Sequence, residues 1–315
     1  MELCFMYKQN HIFTMTDGHR IAATTYFPGN EKEIIGHFHI MHGMAEHQRR
    51  YEAFANYISE LGYLVTTHDH RGHGHTAEQN DGLFGYFAES EGFERVVEDV
   101  HEVLQQSRVL HGVYPLTLFG HSMGSFIARR YTQHYSNELD RVIYCGTGAT
   151  TALHVIGNNL AKVLARVQGP KTPSRIMNKL SFNSFNNHIV DSLTNFDWLC
   201  SDSEVVQKYI EDTQCGFIAT NQFFVDLTDG LIAIANLKEV KKIRPDLPVL
   251  FIAGSDDPVG EKGKGVYKVA SQYEQAGIKD VTVYMFEGMR HEILNERNKQ
   301  QVYDVVTRWM KNEKN

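Results

Sequence analysis

The chain has 315 residues, of which 42% are hydrophobic and 22% charged, a balance typical of a globular protein. This length is large for a single ordinary core and favours one large α/β domain that carries an insertion. The formal net charge of −7 and the lack of a basic stripe argue against nucleic acid as a partner, because nucleic-acid binding relies on clustered lysine and arginine.

The four cysteines are scattered along the chain and form no C-x-x-C pair: Cys4, Cys145, Cys200 and Cys215. This distribution suits buried thiols in a reducing compartment better than a disulfide framework. The first thirteen residues contain no apolar stretch long enough for a signal peptide, and apolar runs such as 231–237 are too short to span a bilayer. We therefore expect a cytoplasmic protein.

The predicted elements begin with a β-hairpin, in which residues 11–15 and 21–27 flank the turn dipeptide Asp17-Gly18. Predicted strands and helices then alternate along the chain. The further strands are 34–40, 63–67, 116–119, 142–145, 249–253 and 281–285, and the helices are 51–61, 93–110, 125–134, 265–275 and 300–311. Such alternation predicts a mostly parallel sheet with helices on both faces.

The alternation stops between residues 147 and 244, where helical patterns follow one another without a convincing strand. We assign 147–244 to an inserted helical cap, and 1–146 and 245–315 to the two parts of the core. One predicted cap helix has an apolar face formed by Leu153, Ile156, Leu160, Val163, Leu164 and Val167. A second apolar cluster consists of Phe223, Phe224, Leu227, Leu231 and Ile234. Packing against the core, lining of an acyl-chain pocket and transient contact with a membrane surface all stay open for both clusters.

Residues 120–124 (GHSMG) place a serine between two glycines, with a predicted strand before it and a predicted helix after it. This is the context of a nucleophile elbow. The glycines fit the turn because side chains at these two positions would crowd it. We therefore predict Ser122 as a nucleophile with an exposed hydroxyl.

A serine nucleophile needs a base, and the base needs a third group that orients it. In α/β-hydrolases an acid and then a histidine follow the serine along the chain. Only His291, of 17 histidines, follows the predicted strand 249–253, so we predict His291 as the base. Asp256 and Asp257 both come after this strand, but successive side chains of an extended segment point to opposite sides. We choose Asp257 as the acid, with Asp256 as a turn residue and the alternative acid.

Two backbone N–H groups are predicted to hold the oxyanion that forms during acyl transfer. One is the N–H of Met123, directly after the proposed nucleophile. The other is the N–H of Met44, in the loop after strand 34–40, where Gly43 permits close approach of the backbone. The methionine side chains have no part in this role.

Several strings together resemble the α/β-hydrolase superfamily and, within it, the lysophospholipase and monoacylglycerol lipase group that is also placed under serine aminopeptidase S33. Residues 42–51 (HGMAEHQRRY) look like the group's H-G-x-x-E-H-x-x-R-Y, and 69–74 (DHRGHG) look like its D-x-R-G-H-G loop. The elbow, 257–260 (DPVG) and 291–296 (HEILNE) complete the set. The sequence departs from the group at Thr76 and Ser125, where serine and glycine are usual.

This resemblance covers nearly all of the predicted core and implies the α/β-hydrolase fold with a cap. It also implies hydrolysis of a carboxylic ester with an exposed acyl chain, without a metal ion or an organic cofactor. A lysophospholipase or monoacylglycerol lipase is the expected function, and a short-chain carboxylesterase is the alternative. A binding or scaffold protein that retains the fold and acylates only once is an alternative of another class.

Residues 68–75 (HDHRGHGH) offer a different alternative, since clustered imidazoles and a carboxylate could hold zinc in a metallohydrolase. Their spacing matches neither H-E-x-x-H nor H-x-H-x-D-H, and the resemblance accounts for the segment as a structural loop. His37 and His39 alternate with apolar residues and are expected to be ordinary sheet residues.

Two further charged positions are predicted to lie near the site. Glu46 and Arg71 both follow core strands at the same edge of the sheet, which predicts an ion pair between them, with a role in substrate binding as the less favoured alternative. Arg290 is expected to be an exposed charge, with a phosphate-facing role as the alternative.

Overall fold

The computed structural model describes residues 7–29, 33–190 and 192–312. Its centre is a sheet of eight strands within these ranges, in the spatial order β1-β2-β4-β3-β5-β6-β7-β8. The strands are β1 (Tyr7–Thr14), β2 (Arg20–Phe27), β3 (Gly36–Met41), β4 (Tyr63–His68), β5 (Leu116–His121), β6 (Arg141–Cys145), β7 (Val249–Gly254) and β8 (Val281–Phe286). β2 is antiparallel to β1 and β4, and all the other neighbours are parallel. The α/β-hydrolase fold predicted from the sequence is confirmed.

The hairpin forms where Asp17-Gly18 predicts it, with Thr14 opposite Arg20 and a positive φ of 84° at Gly18. β1 begins four residues earlier than predicted. Residues 7–10 are exposed and carry no apolar alternation, so the sequence pattern did not indicate a strand there. These residues join the sheet through their backbone, which pairs with that of residues 24–27.

Helices cover both faces of the sheet, as the alternation predicts. The described helices are α1 (Glu52–Glu60), α2 (Gly74–Gln79), α3 (Gly92–His111), α4 (Met123–Tyr135), α5 (Ala152–Gln168), α6 (Arg175–Phe182), α7 (Ser203–Glu211), α8 (Asn221–Ile234), α9 (Leu237–Val240), α10 (Lys264–Ala276) and α11 (Lys299–Met310). Buried side chains of α3, α4 and α10 pack on one face, and those of α1 and α11 pack on the other. β3, β5 and β7 are therefore buried throughout, as expected for parallel strands covered on both sides.

The described chain between β6 and β7 contains helices α5 to α9 and adds no strand to the sheet. The two apolar clusters predicted there have different surroundings. Phe223, Phe224, Leu231 and Ile234 of α8 are buried in the core. By contrast, Leu153 and Val167 of α5 are 75% and 78% exposed, and Ile156 and Val163 are also exposed. Packing therefore accounts for the second cluster, but not for most of the first.

The described helices include none that combines the length and the apolar character needed to cross a bilayer. Cys145, Cys200 and Cys215 are free and buried, as predicted. Cys4 lies outside the described residues.

Candidate active site

Ser122 lies in the turn between β5 and α4, with a positive φ of 52° and ψ of −120°. Few residues other than glycine adopt such a φ, and they do so where the surrounding structure enforces it. The neighbouring glycines are required by close backbone approach. A Cβ on Gly120 would lie 2.2 Å from the carbonyl oxygen of Gly124, and one on Gly124 would lie 2.4 Å from that of Met41. The sharp strand-to-helix turn is therefore formed as the two glycines predict.

His291 and Asp257 meet beneath the surface at the same edge of the sheet. His291 Nδ1 lies 2.9 Å from Asp257 Oδ1, and both side chains are almost completely buried. The backbone N–H of Val259 also donates to Oδ1. Because a carboxylate only accepts, Nδ1 carries the proton in this pair and Nε2 retains a lone pair. Asp256 is exposed, so of the two aspartates it is Asp257, the residue chosen from the sequence, that meets His291.

The proposed oxyanion donors border Ser122 from two sides. Met123 is the first residue of α4, so its N–H has no acceptor within the helix. The loop of Met44 approaches from the other side, where a Cβ on Gly43 would lie 3.1 Å from Ser122 Cβ. Within the described ranges the Met44 N–H donates to no hydrogen-bond acceptor.

A buried polar network that the sequence did not reveal connects this loop to the histidine. Arg50 donates to both carboxylate oxygens of Glu292 and to Glu46 Oε2 at 2.6 Å. Tyr51 donates its hydroxyl to Glu46 Oε1 at 2.7 Å. These residues lie in the segments 42–51 and 291–296. Both segments match motifs of the group, and this match was the signal in the sequence that could have indicated the network.

His121, directly before Ser122, belongs to the same network. Its Nδ1 lies 2.7 Å from the Tyr51 hydroxyl, and its Nε2 lies 3.2 Å from the His291 carbonyl oxygen. Burial opposes a charge here, but the Glu46 carboxylate prevails and raises the pKa of His121. The two ring nitrogens of His121 thus connect the Tyr51 hydroxyl to the His291 backbone.

Segments between α6 and α8 are hydrogen bonded to both active-site loops. The Tyr209 hydroxyl and the Gly216 N–H each donate to the Ala45 carbonyl at 2.9 Å, which fixes the loop that carries Met44. On the other side, the Glu292 N–H donates to the Leu199 carbonyl at 2.7 Å. The Trp198 ring packs against His291, with 5.1 Å between the ring centroids.

The predicted ion pair between Glu46 and Arg71 is wrong. Arg50 follows Glu46 by one turn and forms the pair with it. Arg71 instead points toward α3, where its Nη2 atom donates to Asp99 at 2.8 Å, and it also pairs with Asp17. Several cationic side chains lie close in sequence to these carboxylates, so the order of the strands alone could not assign the ion pairs.

Arg290 is not the exposed charge that the sequence predicted. Its Nη1 atom donates to the carbonyl oxygens of Asp197 at 2.7 Å and Cys200 at 3.0 Å. The side chain is partly buried, and these contacts connect the His291 loop to the chain before α7.

Histidines of the 68–75 segment join those of β3 in a buried chain of hydrogen bonds. His68 bonds to His39 at 3.0 Å and to His70 at 3.1 Å, and the His70 N–H donates to His42. Burial lowers the pKa of His68 to about 3, so the chain is built from neutral imidazoles. Asp69 accepts the N–H groups of Gln48 and His75. The segment is therefore integrated into the fold as a loop.

The two departures from the group's motifs both make hydrogen bonds of their own. Thr76 Oγ1 donates to the Asp69 carbonyl at 2.7 Å and accepts the Ala22 N–H at 2.9 Å, bonds that a serine could also make. Ser125 Oγ donates to the Ser122 carbonyl at 2.6 Å, a bond that glycine could not make. The serine thus adds a contact directly behind the turn.

Comparison with known proteins agrees with this architecture. A carboxyl esterase from Bacillus coagulans, solved in complex with glycerol, superposes with a TM-score of 0.90 at 27% identity and covers 98% of this chain and 99% of its own. A lipase in an open form superposes with a TM-score of 0.82 at 29% identity, covering 96% and 97%. The monoacylglycerol lipase of Mycolicibacterium smegmatis is 25% identical over 306 residues, or 96% of this chain and 97% of that protein.

The family described as serine aminopeptidase, S33, matches residues 32–298, which is most of the chain. The relatives and the structural neighbours place the protein in the monoacylglycerol lipase-like group predicted from its motifs. The chain belongs to the serine aminopeptidase S33 family of α/β-hydrolases.

Proposed function

We propose that the chain is a serine esterase that hydrolyses the ester of a monoacylglycerol or a lysophospholipid. The observation that carries this proposal is the hydrogen bond between His291 and the buried Asp257, formed beside a serine with the backbone of a nucleophile elbow. Relatives named monoacylglycerol lipase and neighbours named esterase or lipase support the substrate class.

The chemistry proceeds through an acyl-enzyme. His291 Nε2 takes the proton of Ser122 as its Oγ attacks the ester carbonyl, and Asp257 stabilises the imidazolium that forms. His291 then protonates the departing alcohol. The same histidine activates a water molecule that hydrolyses the acyl-enzyme.

The N–H groups of Met44 and Met123 hold the negative charge of both tetrahedral intermediates. Their place on either side of Ser122 supports this role, and so does the absence of another acceptor for the Met44 N–H within the described chain. The hydrogen bonds from Tyr209 and Gly216 to Ala45 hold this loop in position before substrate arrives.

We expect kcat/KM for p-nitrophenyl esters, from acetate to palmitate, to reach its maximum at medium or long chains. A pocket beneath the cap would bury the acyl tail, and each buried methylene contributes about 0.8 kcal/mol. A monoacylglycerol and a lysophospholipid are assayed in parallel, with Ser122→Ala as the inactive control. A maximum at acetate or butyrate would favour the short-chain carboxylesterase. Product release that ends after one equivalent would favour the binding protein.

We propose that residues 147–244 form a cap whose α5 and α6 contact lipid surfaces. Leu153, Ile156 and Val167 of α5 and Leu180 of α6 are exposed and apolar. The same stretch carries basic residues, which favour anionic headgroups: Lys162, Arg166, Lys171, Arg175 and Lys179. An apolar face bordered by basic residues is typical of helices that lie in the membrane interface.

Replacing Leu153 and Val167 together with serine is expected to weaken binding to vesicles, because it removes apolar area from the contact face. Co-sedimentation with phosphatidylcholine vesicles, with and without phosphatidylglycerol, measures this binding. Val109 on α3 is 86% exposed and lies outside the proposed cap, so Val109→Ser is the matched control. Equal loss of binding in both variants would contradict the assignment of the contact to α5.

A further inference from the structure

We infer that His47, Asp212 and Cys215 form a binding site for a zinc-like divalent cation that links the cap to the oxyanion loop. One possible ligand atom from each side chain lies within 4.8 Å of the others. Within the described ranges, this is the one group of three histidine, cysteine or acidic side chains whose possible ligand atoms lie so close together. The group contains none of Ser122, His291 and Asp257 and none of the histidines in the buried chain. No sequence motif indicated a metal ion at these three residues.

The ligands come from two parts of the chain that are already held together. His47 follows the oxyanion loop, while Asp212 and Cys215 lie in the turn after α7. The Cys215 N–H donates to the Asp212 carbonyl at 2.9 Å, so this turn keeps its two ligands on one side. The Gly216 N–H, one residue further on, donates to the Ala45 carbonyl. The two segments therefore already hold possible ligand atoms of the three side chains within 4.8 Å of one another.

The polar atoms at this position are not fully used by protein hydrogen bonds. His47 is 3% exposed and hydrogen bonds to Asp212 through Nε2, but its Nδ1 is buried without a partner. The Cys215 thiol is also buried and makes no hydrogen bond within the described chain. Buried polar atoms usually have partners, and an ion held by His47 Nε2 and Asp212 would supply one for the Cys215 sulfur. The His47 Nδ1 atom lies on the other side of the ring and is not a ligand in this arrangement.

The distance between two of the proposed ligand atoms suits a cation. His47 Nε2 and Asp212 Oδ2 are 2.9 Å apart. Tetrahedral zinc with ligand bonds of about 2.0–2.2 Å requires roughly 3.3 Å between such atoms, a small displacement. The nearby Arg50 charge is directed to Glu46 and Glu292. The Asp212 side chain is 32% exposed, which leaves a path for the ion and for a water molecule as fourth ligand.

The ligand types select the class of ion. Imidazole, thiolate and carboxylate together suit zinc, whereas calcium and magnesium prefer oxygen ligands alone. Binding releases the thiol proton of Cys215 and forms a bond from its sulfur to the metal. The bound ion would then join the turn after α7 to the loop that carries Met44.

Cobalt(II) is the probe, because a thiolate ligand gives it a near-ultraviolet charge-transfer band and tetrahedral geometry gives strong visible bands. Full-length protein is stripped with EDTA, reduced and titrated with CoCl2. We expect both sets of bands to grow to one equivalent and to disappear when ZnCl2 displaces the cobalt. Zinc is also expected to raise Tm, since an ion that binds only the folded state stabilises it.

Cys215→Ser is expected to abolish the charge-transfer band, and His47→Gln to weaken cobalt binding at least tenfold. Cys200→Ser is the matched control, because Cys200 is also a buried thiol before α8 but lies outside the group, and it should retain the band. Absence of the band from the unsubstituted protein at saturating cobalt would overturn the proposal. Its persistence in Cys215→Ser would do so as well, and neither result depends on the esterase assignment or on the folding of His47→Gln.

Discussion

Replacing Asp257 with asparagine is expected to lower kcat by on the order of 10⁴, the loss typical of this change in a serine triad. The amide carries no negative charge to stabilise the His291 imidazolium. In one of its two orientations it also presents an N–H group to Nδ1, which places the histidine proton on Nε2 and prevents that atom from acting as the base. The Val259 N–H, which donates to Oδ1, favours the other orientation, so loss of charge contributes to the effect.

Asp256→Asn is the matched control, since the two residues are adjacent and only Asp257 contacts His291. We expect it to retain kcat within a few-fold. Steady-state kinetics on one p-nitrophenyl ester, with circular dichroism to verify folding, measures both variants against Ser122→Ala. Greater damage from Asp256→Asn would show that the acid has been assigned to the wrong aspartate.

Acidification from about pH 6.5 to 5 is expected to reduce the free energy of unfolding by more than one titrating group could explain. Burial lowers the pKa values of six histidines in the core well below 6.5: His37, His39, His42, His68, His70 and His73. Each stays neutral in the fold but is protonated after unfolding, near the ordinary value of about 6.5. The unfolded chain therefore binds more protons, so stability falls as pH falls.

Each such histidine contributes up to about 1.4 kcal/mol per pH unit in this window. His121 and Asp226 act in the opposite direction, because Glu46 raises the pKa of His121 and burial raises the pKa of Asp226 to about 7. Urea unfolding at several pH values gives the net slope, which we expect to exceed that of one proton. His37→Gln removes one buried imidazole, which contacts Thr66, and should decrease the slope. A flat or inverted profile would contradict the neutrality of these side chains in the fold.

The sequence supported prediction wherever a local pattern determines the structure. Apolar runs identified the buried strands to within a few residues, and the glycines around Ser122 indicated the sharp turn. Alternation of side chains indicated that only one of Asp256 and Asp257 could face His291, but it did not say which one. These features depend on neighbours along the chain, so a single sequence contains the information.

The partners of charged side chains and the packing of the helices were beyond the same reasoning. Glu46 had Arg71 as an apparent partner because both follow core strands, but the helical turn at residues 48–51 brings Arg50 closer. The exposure of Leu153 and the burial of Phe223 were equally hidden, because both lie in apolar helical patterns. Only the packing of α5 and α8 against the rest of the molecule distinguishes them.

The hydrogen bonds that join residues 199–216 to the loops of Met44 and His291 also bear on which parts of the chain can change in sequence. We expect mutations near Trp198, Tyr209 or Gly216 to disturb the backbone of one of these two loops, and so to alter the candidate active site. No such hydrogen bond joins α5 or α6 to either loop in the described chain. We therefore expect sequence change in these two helices to disturb the two loops least, whereas the stretch from 197 to 216 is tied to both of them.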